Sequence, residues 1–365
     1  MLDGIRIVEI EGLGPGPFAG LLLADLGAEV IVVHRPEPAS PGVPGPSLID
    51  RGKKSITLDL KNDGDIDVVR RLVATADGLI EGFRPGVMER LGLGPDDLRK
   101  ENPRLVYGRI TGWGQDGPKA SSAGHDLNYL GISGALSGAS MPGDAPFTPP
   151  TLVGDIGGGA MYLVAGILSG LLRAQLSGQG TVVDAAIVDG SAHMMNLLMA
   201  ARGAGLFSLD RGSAVLDGSP WSRCYATADG GWLAVQCLEP QFYAEFIDKL
   251  GVAGDAAFAQ NPDPASWPEL GRRIGNIIAS QSLADWTALF EDSDACAAPV
   301  LDPLRAAKHP HLAARGTWIE IDNKLQARAA PRFDGERPAD PGVPPRRGEH
   351  SQEILASLEM GQQGK

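Results

Sequence analysis

The chain has 365 residues, 43% of them apolar and 21% charged, more than one core of roughly 100 to 200 residues holds, so two domains or one elaborated one are implied. Its 49 glycines and 28 prolines mark many tight backbone passages without reaching the composition of a disordered chain. A formal charge of −13, from 32 basic and 45 acidic side chains, repels polyphosphates and excludes general nucleic-acid binding while leaving room for a local basic pocket.

Cys224, Cys237 and Cys296 form no CxxC pair, which offers neither a disulfide framework nor a zinc site and fits a reducing, cytoplasmic setting. The opening MLDGIRIVEIEG has no basic region followed by an apolar run, so no secretory leader is expected. The longest apolar run, AMYLVAGILSGLL between Gly159 and Arg173, is shorter than the roughly 18 to 20 residues of a membrane span and reads as a buried core helix. Low-complexity stretches occur at 36–46 (PEPASPGVPGP), read as a loop, and at 339–350 (ADPGVPPRRGEH), read as a surface tail.

In chain order, Ile5 to Ile10 is a β-branched run, then a Gly/Pro turn, then FAGLLLADLG with helical spacing, then EVIVVHR as a second strand. Pro17 suits the first helical turn, and Gly27 suits the left-handed position past the last one. SITLDL, DGLIEGF and LVYGRITG continue as strands, with DIDVVRRLVATA and GVMERLG as helices between them. This alternation predicts an α/β fold with a doubly wound, Rossmann-like parallel sheet.

The turn with Gly12, Gly14, Gly16 and Gly20 invites a dinucleotide reading, but G-x-G-x-x-G started at Gly12 ends on Pro17. Pro15 and Pro17 lack N–H groups for a pyrophosphate, and the second strand ends His34-Arg35 where a nicotinamide site wants an acidic residue. That strand end is cationic instead, with Arg35, Arg51, Lys53 and Lys54 against Glu37 and Asp50. Arg84 and Arg90 lie near another strand end. A small phosphorylated ligand accounts for both groups, as do solvated surface cations.

Two segments carry candidate chemistry. AGHDLNYLGISG places His125 and Asp126 between a loop and a helix, and a neutral imidazole is a competent base near pH 7. LVGDIGGG places Asp155 before three glycines and the apolar helix. Asp155 or Asp126 reads equally as a helix N-cap, and His125, a poorer capping side chain, is the other candidate cap of the helix after it. Consecutive glycines weaken a helix start, so a close approach of ligand or partner segment, or free N–H groups aimed at an oxyanion, is implied. Glu239, in LEPQFY, reads alone as a surface turn residue.

These strings resemble the family III CoA transferases (CaiB/BaiF-like) and, within them, the α-methylacyl-CoA racemases. The resemblance extends through RGKKSITLDLK, EGFRPGVMERLGLGP, RITGWGQDGP, AGHDLNYL, LVGDIGGG, GQGTVVDAAIVDG and LEPQFY over nearly the whole chain. It implies that Arg35, Arg84 and Arg90 meet the phosphates and adenine of CoA, with Leu58, Asp59, Leu60, Lys61, Gly82 and Phe83 lining the nucleotide pocket. Gly124, Asp126, Leu127, Asn128 and Tyr129 would border the thioester. His125 and Asp155 would be two acid/base groups inverting C2 of a 2-methylacyl-CoA thioester through an enolate, with Glu239 orienting the histidine from within an interlocked homodimer. No metal or redox cofactor is implied, since CoA is part of the substrate; neither a nucleic acid nor a membrane is implied as a partner.

The same family includes CoA transferases, for which Asp155 would be the nucleophile of a mixed anhydride. Those enzymes lack the AGHD histidine, so His125 favours proton transfer; a non-catalytic CoA-binding protein is the third reading. Two segments depart from the racemase pattern, QCLEPQF with Gln236 and Cys237, and LDGSPWSRCY with Trp221 and Arg223, which the resemblance places along the acyl pocket. The expected organisation is a large CoA-binding domain (1–200 and 325–365), a linker (201–224) and a small α/β domain (225–324).

Overall fold

The computed structural model describes residues 1–37, 46–259 and 263–363. Most of the proline-rich stretch 36–46 therefore lies outside the described residues. Chain contacts group Met1–Leu136, Thr148–Met194 and Gly316–Lys365 into one unit, and Ser137–Phe147 with Met195–Arg315 into a second.

The first unit is built on a six-stranded sheet in the order β3-β2-β1-β4-β5-β6. Its strands are β1 (Arg6–Ile10), β2 (Glu29–His34), β3 (Lys54–Thr57), β4 (Gly78–Glu81), β5 (Val106–Thr111) and β6 (Thr181–Ala186), all parallel. The order reverses at β1, which pairs with both β2 and β4, and this is where open α/β sheets hold ligands. β1 and β2 are buried almost continuously rather than alternately, as expected of strands covered on both faces.

Helix α1 (Pro15–Asp25) starts on a proline whose missing N–H costs nothing in the first turn, and Gly27 after it takes φ 101°. Helix α2 (Asp63–Val73) is capped by Asn62, which accepts the Gly64 N–H at 2.8 Å, and carries acids in its first turn and arginines in its last. On one face of the sheet Val8, Ile31, Ile56, Leu79 and Tyr107 pack with Val69, Leu72 and Val73 of α2. On the other, Ile7, Val30, Ile80 and Val106 pack with Ala19 and Leu23 of α1 and with Leu163 and Ile167 of the β5–β6 crossover. α3 (Val87–Arg90) and α4 (Pro95–Glu101) connect β4 to β5. The C-terminal helix Ser351–Gln363 closes this unit, with Ile354 and Leu358 in the core and the Gly348 N–H donating to Ser55 Oγ at 2.8 Å.

The crossover departs from the sequence expectation. After α5 (Asp126–Ser133), Leu152–Ala160 forms a π-helix that runs without a break into α6 (Met161–Ser177), giving 26 helical residues rather than a short apolar run. That length, with mean hydropathy 1.5 over an 18-residue window, would suffice to cross a bilayer. In this fold α6 instead lays Leu163, Val164, Ile167, Gly170 and Ala174 on the sheet and exposes Leu172 and Leu176. The glycines of GDIGGG are explained by packing. A Cβ on Gly158 would stand 2.4 Å from Ser191 Oγ, and one on Gly190 only 1.9 Å from the Gly158 carbonyl oxygen, so α7 (Ile187–Met194) lies directly against the π-helix.

The second unit holds an antiparallel sheet of β7 (Ser222–Ala226), β8 (Trp232–Gln236) and β9 (Ala297–Pro299), covered by helices Pro240–Lys249, Trp267–Ile278 and Leu283–Phe290. Ser137–Phe147 belongs to it because the Arg211 guanidinium donates to the carbonyls of Ser137 (2.6 Å) and Ala139 (3.1 Å). Trp221, which the resemblance assigns to an acyl pocket, is a core residue here, edge-on to Tyr243 at 5.0 Å and to Trp267 at 5.6 Å. Arg223 lies over the Tyr225 ring at 5.7 Å. All three cysteines are free, with Cys237 buried and its thiol pushed up to about 12 by burial.

Candidate active site

The predicted binding residues of the first unit all follow carboxyl ends of parallel strands: Arg35 after β2, Leu58, Asp59, Leu60 and Lys61 after β3, and Gly82, Phe83 and Arg84 after β4. Arg90 ends α3, and Gly124 to Tyr129 follow β5. The parallel sheet alone therefore gathers them on one edge. Leu58 is buried in the core, its N–H on the His34 carbonyl at 2.9 Å, and the next turn is tied to α2 by the Asp59 N–H donating to Asp65 Oδ2 at 2.7 Å.

The cations that the sequence groups at the end of β2 divide into two groups, because β3 starts at Lys54 and so puts Arg51, Lys53 and Lys54 at its amino end rather than at the carboxyl edge. Arg51, Lys53 and Lys54, which the sequence places among ligand-facing charges, hold the fold together instead. Arg51 is buried on Asp25 (2.8 Å) and Gln326 (2.7 Å), Lys53 is buried on Glu9 (2.8 Å) and the Pro17 carbonyl (2.9 Å), and Lys54 spans Glu29 and Glu353. Burial pushes the Glu9 carboxyl up to about 7 against the pull of Lys53. By contrast Arg84, Arg90 and Lys61 are exposed and make no ion pair among the described residues. Arg35 is exposed too but paired, with its Nε 3.3 Å from Glu11. Glu11 also takes the Arg35 N–H at 2.8 Å and two donors of Arg347 at 2.6 and 3.0 Å. Burial raises the Glu11 carboxyl, but these bonds outweigh it and hold the group below the usual range.

His125 is the exposed N-cap of α5, its N–H donating to Asn128 Oδ1 at 3.0 Å, and Leu127 and Asn128 face solvent beside it. Tyr129 is buried, edge-on to Trp113 at 4.8 Å, with its hydroxyl donating to the Gly124 carbonyl. Asp126 does not cap α5, whose N-cap is His125. It is buried, its Oδ1 accepts the Asp155 N–H at 2.8 Å, and its Oδ2 has no hydrogen-bond partner among the described residues. Asp155 is not an N-cap either, being the fourth residue of the π-helix, a geometry that recurs at functional sites. The position of a Cβ on Gly14 lies 3.8 Å from Asp155 Oδ2, which puts the carboxylate beside the turn after β1. Burial, and then the charge of Asp126, push the Asp155 carboxyl up to about 6, with His125 pulling the other way. A carboxyl poised near neutrality beside an imidazole can accept or give a proton at physiological pH.

Glu239 lies in the second unit as the exposed N-cap of helix Pro240–Lys249. Sequence reasoning missed Glu81, Glu89 and Arg109. Glu81 and Arg109 are buried charges on neighbouring strands, joined at 2.8 Å, and Arg109 also reaches Glu89 of α3 at 2.7 Å. The signal available was a lone acid and a lone base inside apolar strand runs, GLIE and VYGRIT.

Comparison with known proteins agrees with this geometry. The pattern of CoA-transferase family III matches residues 2–351. Alpha-methylacyl-CoA racemase of Mus musculus is 40% identical over 367 residues, covering 100% of this chain and 94% of the mouse protein. The racemase of Homo sapiens is 40% identical over 361 residues, covering 97% and 92%. A CAIB/BAIF family protein from Brucella suis, known by crystal structure, superposes with a TM-score of 0.83 at 28% identity over 98% of this chain and 99% of that one. With the parallel α/β sheet, the edge-gathered arginines and a match over nearly its whole length, the chain belongs to CoA-transferase family III.

Proposed function

We propose that the protein inverts C2 of 2-methylacyl-CoA thioesters by two-base proton transfer. The observation that carries this reading is an Asp155 carboxyl raised to about 6 that senses the charges of both Asp126 and His125 at one sheet edge. One group, as base, takes the α-proton; the C–H electron pair moves onto the thioester oxygen as an enolate. The other group, as acid, returns a proton to the opposite face, so substrate and product carry the same atoms. Arg35, Arg84 and Arg90 bind the phosphates of CoA, and Glu239 orients His125 within a homodimer, whose contact surface the exposed Leu172 and Leu176 would serve. The similarity to racemases over the full length supports the isomerase reading. This chemistry needs no metal or redox cofactor, and a cytoplasmic location accords with three free cysteines.

The family's transferase members keep a second reading open to test, in which Asp155 attacks the thioester. Incubation of the protein with a 2-methylacyl-CoA of one C2 configuration in deuterium oxide, followed by NMR, is expected to show deuterium at C2 with inversion. Transfer of CoA to an added carboxylate without deuterium at C2 would overturn the racemase reading in favour of the transferase, and CoA binding without either reaction would leave a carrier.

Asp126→Asn gives a pH test. Removing the neighbouring negative charge removes a cause that favours protonated Asp155, so the Asp155 carboxyl falls below about 6. The reaction direction that uses ionised Asp155 as base loses rate as pH falls through about 6 in the wild type. In the variant that acid limb of kcat/KM moves to lower pH. An unmoved limb would show that the rate does not follow Asp155.

A further inference from the structure

We propose that Arg109 is a positioning residue that sets both unpaired arginines of the CoA pocket, Arg84 and Arg90, from beneath. The proposal rests on the reading of that pocket as the phosphate site. Arg109 stands on β5 with 6% of its surface exposed, and its fork bridges two carboxylates from two different segments. Its Nε donates to Glu81 Oε1 at 2.8 Å, and its Nη1 and Nη2 to the two oxygens of Glu89 at 2.7 and 3.3 Å. Glu81, fully buried at the end of β4, uses its other oxygen to accept the Phe83 N–H at 2.7 Å, which fixes the turn one residue before Arg84. Glu89 sits one residue before Arg90 on α3, so its bidentate pair sets the rotation of that four-residue helix. The far side of α3 is held separately by Arg70, which pairs with Glu101 at 2.6 Å and reaches the Gly92 carbonyl at 2.5 Å. One guanidinium thus ties the end of β4, the middle of β5 and the last turn of α3 into one body.

The chemistry requires arginine. A lysine at this position would keep the charge but gather its three donors on one nitrogen, which cannot span Glu81 and both oxygens of Glu89 as the three guanidinium nitrogens do. Arg84 and Arg90 are long exposed side chains with no partner of their own among the described residues. Their backbone placement therefore decides where their charges stand before a phosphate arrives, and pre-organisation of that kind is read in affinity rather than in turnover.

Neutralising Arg109 would strand Glu81 as a buried unpaired charge and endanger the fold. The test therefore uses Glu89→Gln, which keeps shape at an exposed position and weakens only the α3 arm, with Arg109→Lys as a second variant. The dissociation constant of CoA alone, measured by titration calorimetry, is expected to rise roughly 5- to 10-fold in Glu89→Gln and more in Arg109→Lys. KM should rise in parallel, with kcat changed by less than about 3-fold. In an Arg90→Ala background Glu89→Gln is expected to add less than about 2-fold, since the side chain it positions is gone. Full additivity there, or a fall in kcat with CoA affinity intact, would overturn the proposal. If Arg84→Ala and Arg90→Ala both leave CoA affinity unchanged, the phosphate-site reading fails and the proposal fails with it. If those two weaken binding and Glu89→Gln does not, the proposal fails alone.

Discussion

Asp155→Asn and His125→Ala should each abolish inversion at C2, lowering kcat by about 10³-fold or more, at the level that loss of a positioned acid or base produces. Asparagine is close to isosteric with Asp155, and the bond from the residue's N–H to Asp126 Oδ1 involves main chain on the Asp155 side, so the π-helix keeps its anchor. His125 is exposed and its side chain makes no hydrogen bond that α5 depends on, since the helix start is held by its N–H on Asn128 and its carbonyl under the Asn128 N–H. Neither change should therefore lower thermal stability appreciably, which separates catalysis from folding. A two-base mechanism adds a finer expectation. Each variant keeps one group, so each should still exchange the α-proton of one C2 epimer with deuterium oxide while failing to invert it, and the two variants should serve opposite epimers. The double variant should lose both exchanges and be little slower in inversion than either single one. Undiminished inversion in either single variant would remove that residue from the mechanism.

The expectations that held rest on local pattern. IRIVEI and EVIVVH read as strands because strands covered on both faces are continuously apolar, and that property needs no knowledge of their neighbours. Once strands and helices alternate, parallel topology follows, and strand carboxyl ends collect Arg35, Lys61, Arg84 and His125 without further information. What the sequence hid depends on partners distant in the chain. Arg51 and Lys53 look like ligand cations until Asp25, Gln326 and Glu9 are brought onto them by β3 and the C-terminal return. Arg109 and Glu81 are 28 residues apart, and no spacing rule joins a strand residue to its lateral neighbour on the next strand. The π-helix was illegible for another reason. Three glycines next to an acid carry no side-chain periodicity, so the helical continuity of Leu152–Ser177 shows only when α7 closes against the bare backbone.

That closure makes Gly190→Ala the substitution with the largest expected effect on stability. An added Cβ would lie 1.9 Å from the Gly158 carbonyl oxygen and 2.8 Å from Tyr162 Cδ2. The nearest atom is backbone inside a helix, so no rotamer change relieves the overlap, and α7 must move away from the π-helix. Overpacking of this kind costs about 3 kcal/mol, and more where backbone meets backbone. Gly203→Ala is the control, because nothing stands within 4 Å of its added Cβ. At that site alanine only restricts the unfolded chain, so it should be neutral or stabilising by roughly 0.5 kcal/mol. Thermal unfolding followed by circular dichroism checks both signs, and a Gly190→Ala protein within about 1 kcal/mol of wild type would refute the contact. The effect should also reach the chemistry. Gly158 lies three residues after Asp155 in the same π-helix, so a displaced α7 releases the segment that holds the carboxylate beside the turn after β1. Below its unfolding temperature Gly190→Ala should therefore lose kcat while CoA affinity, set at the β4 edge by Arg84 and Arg90, stays close to that of the wild type.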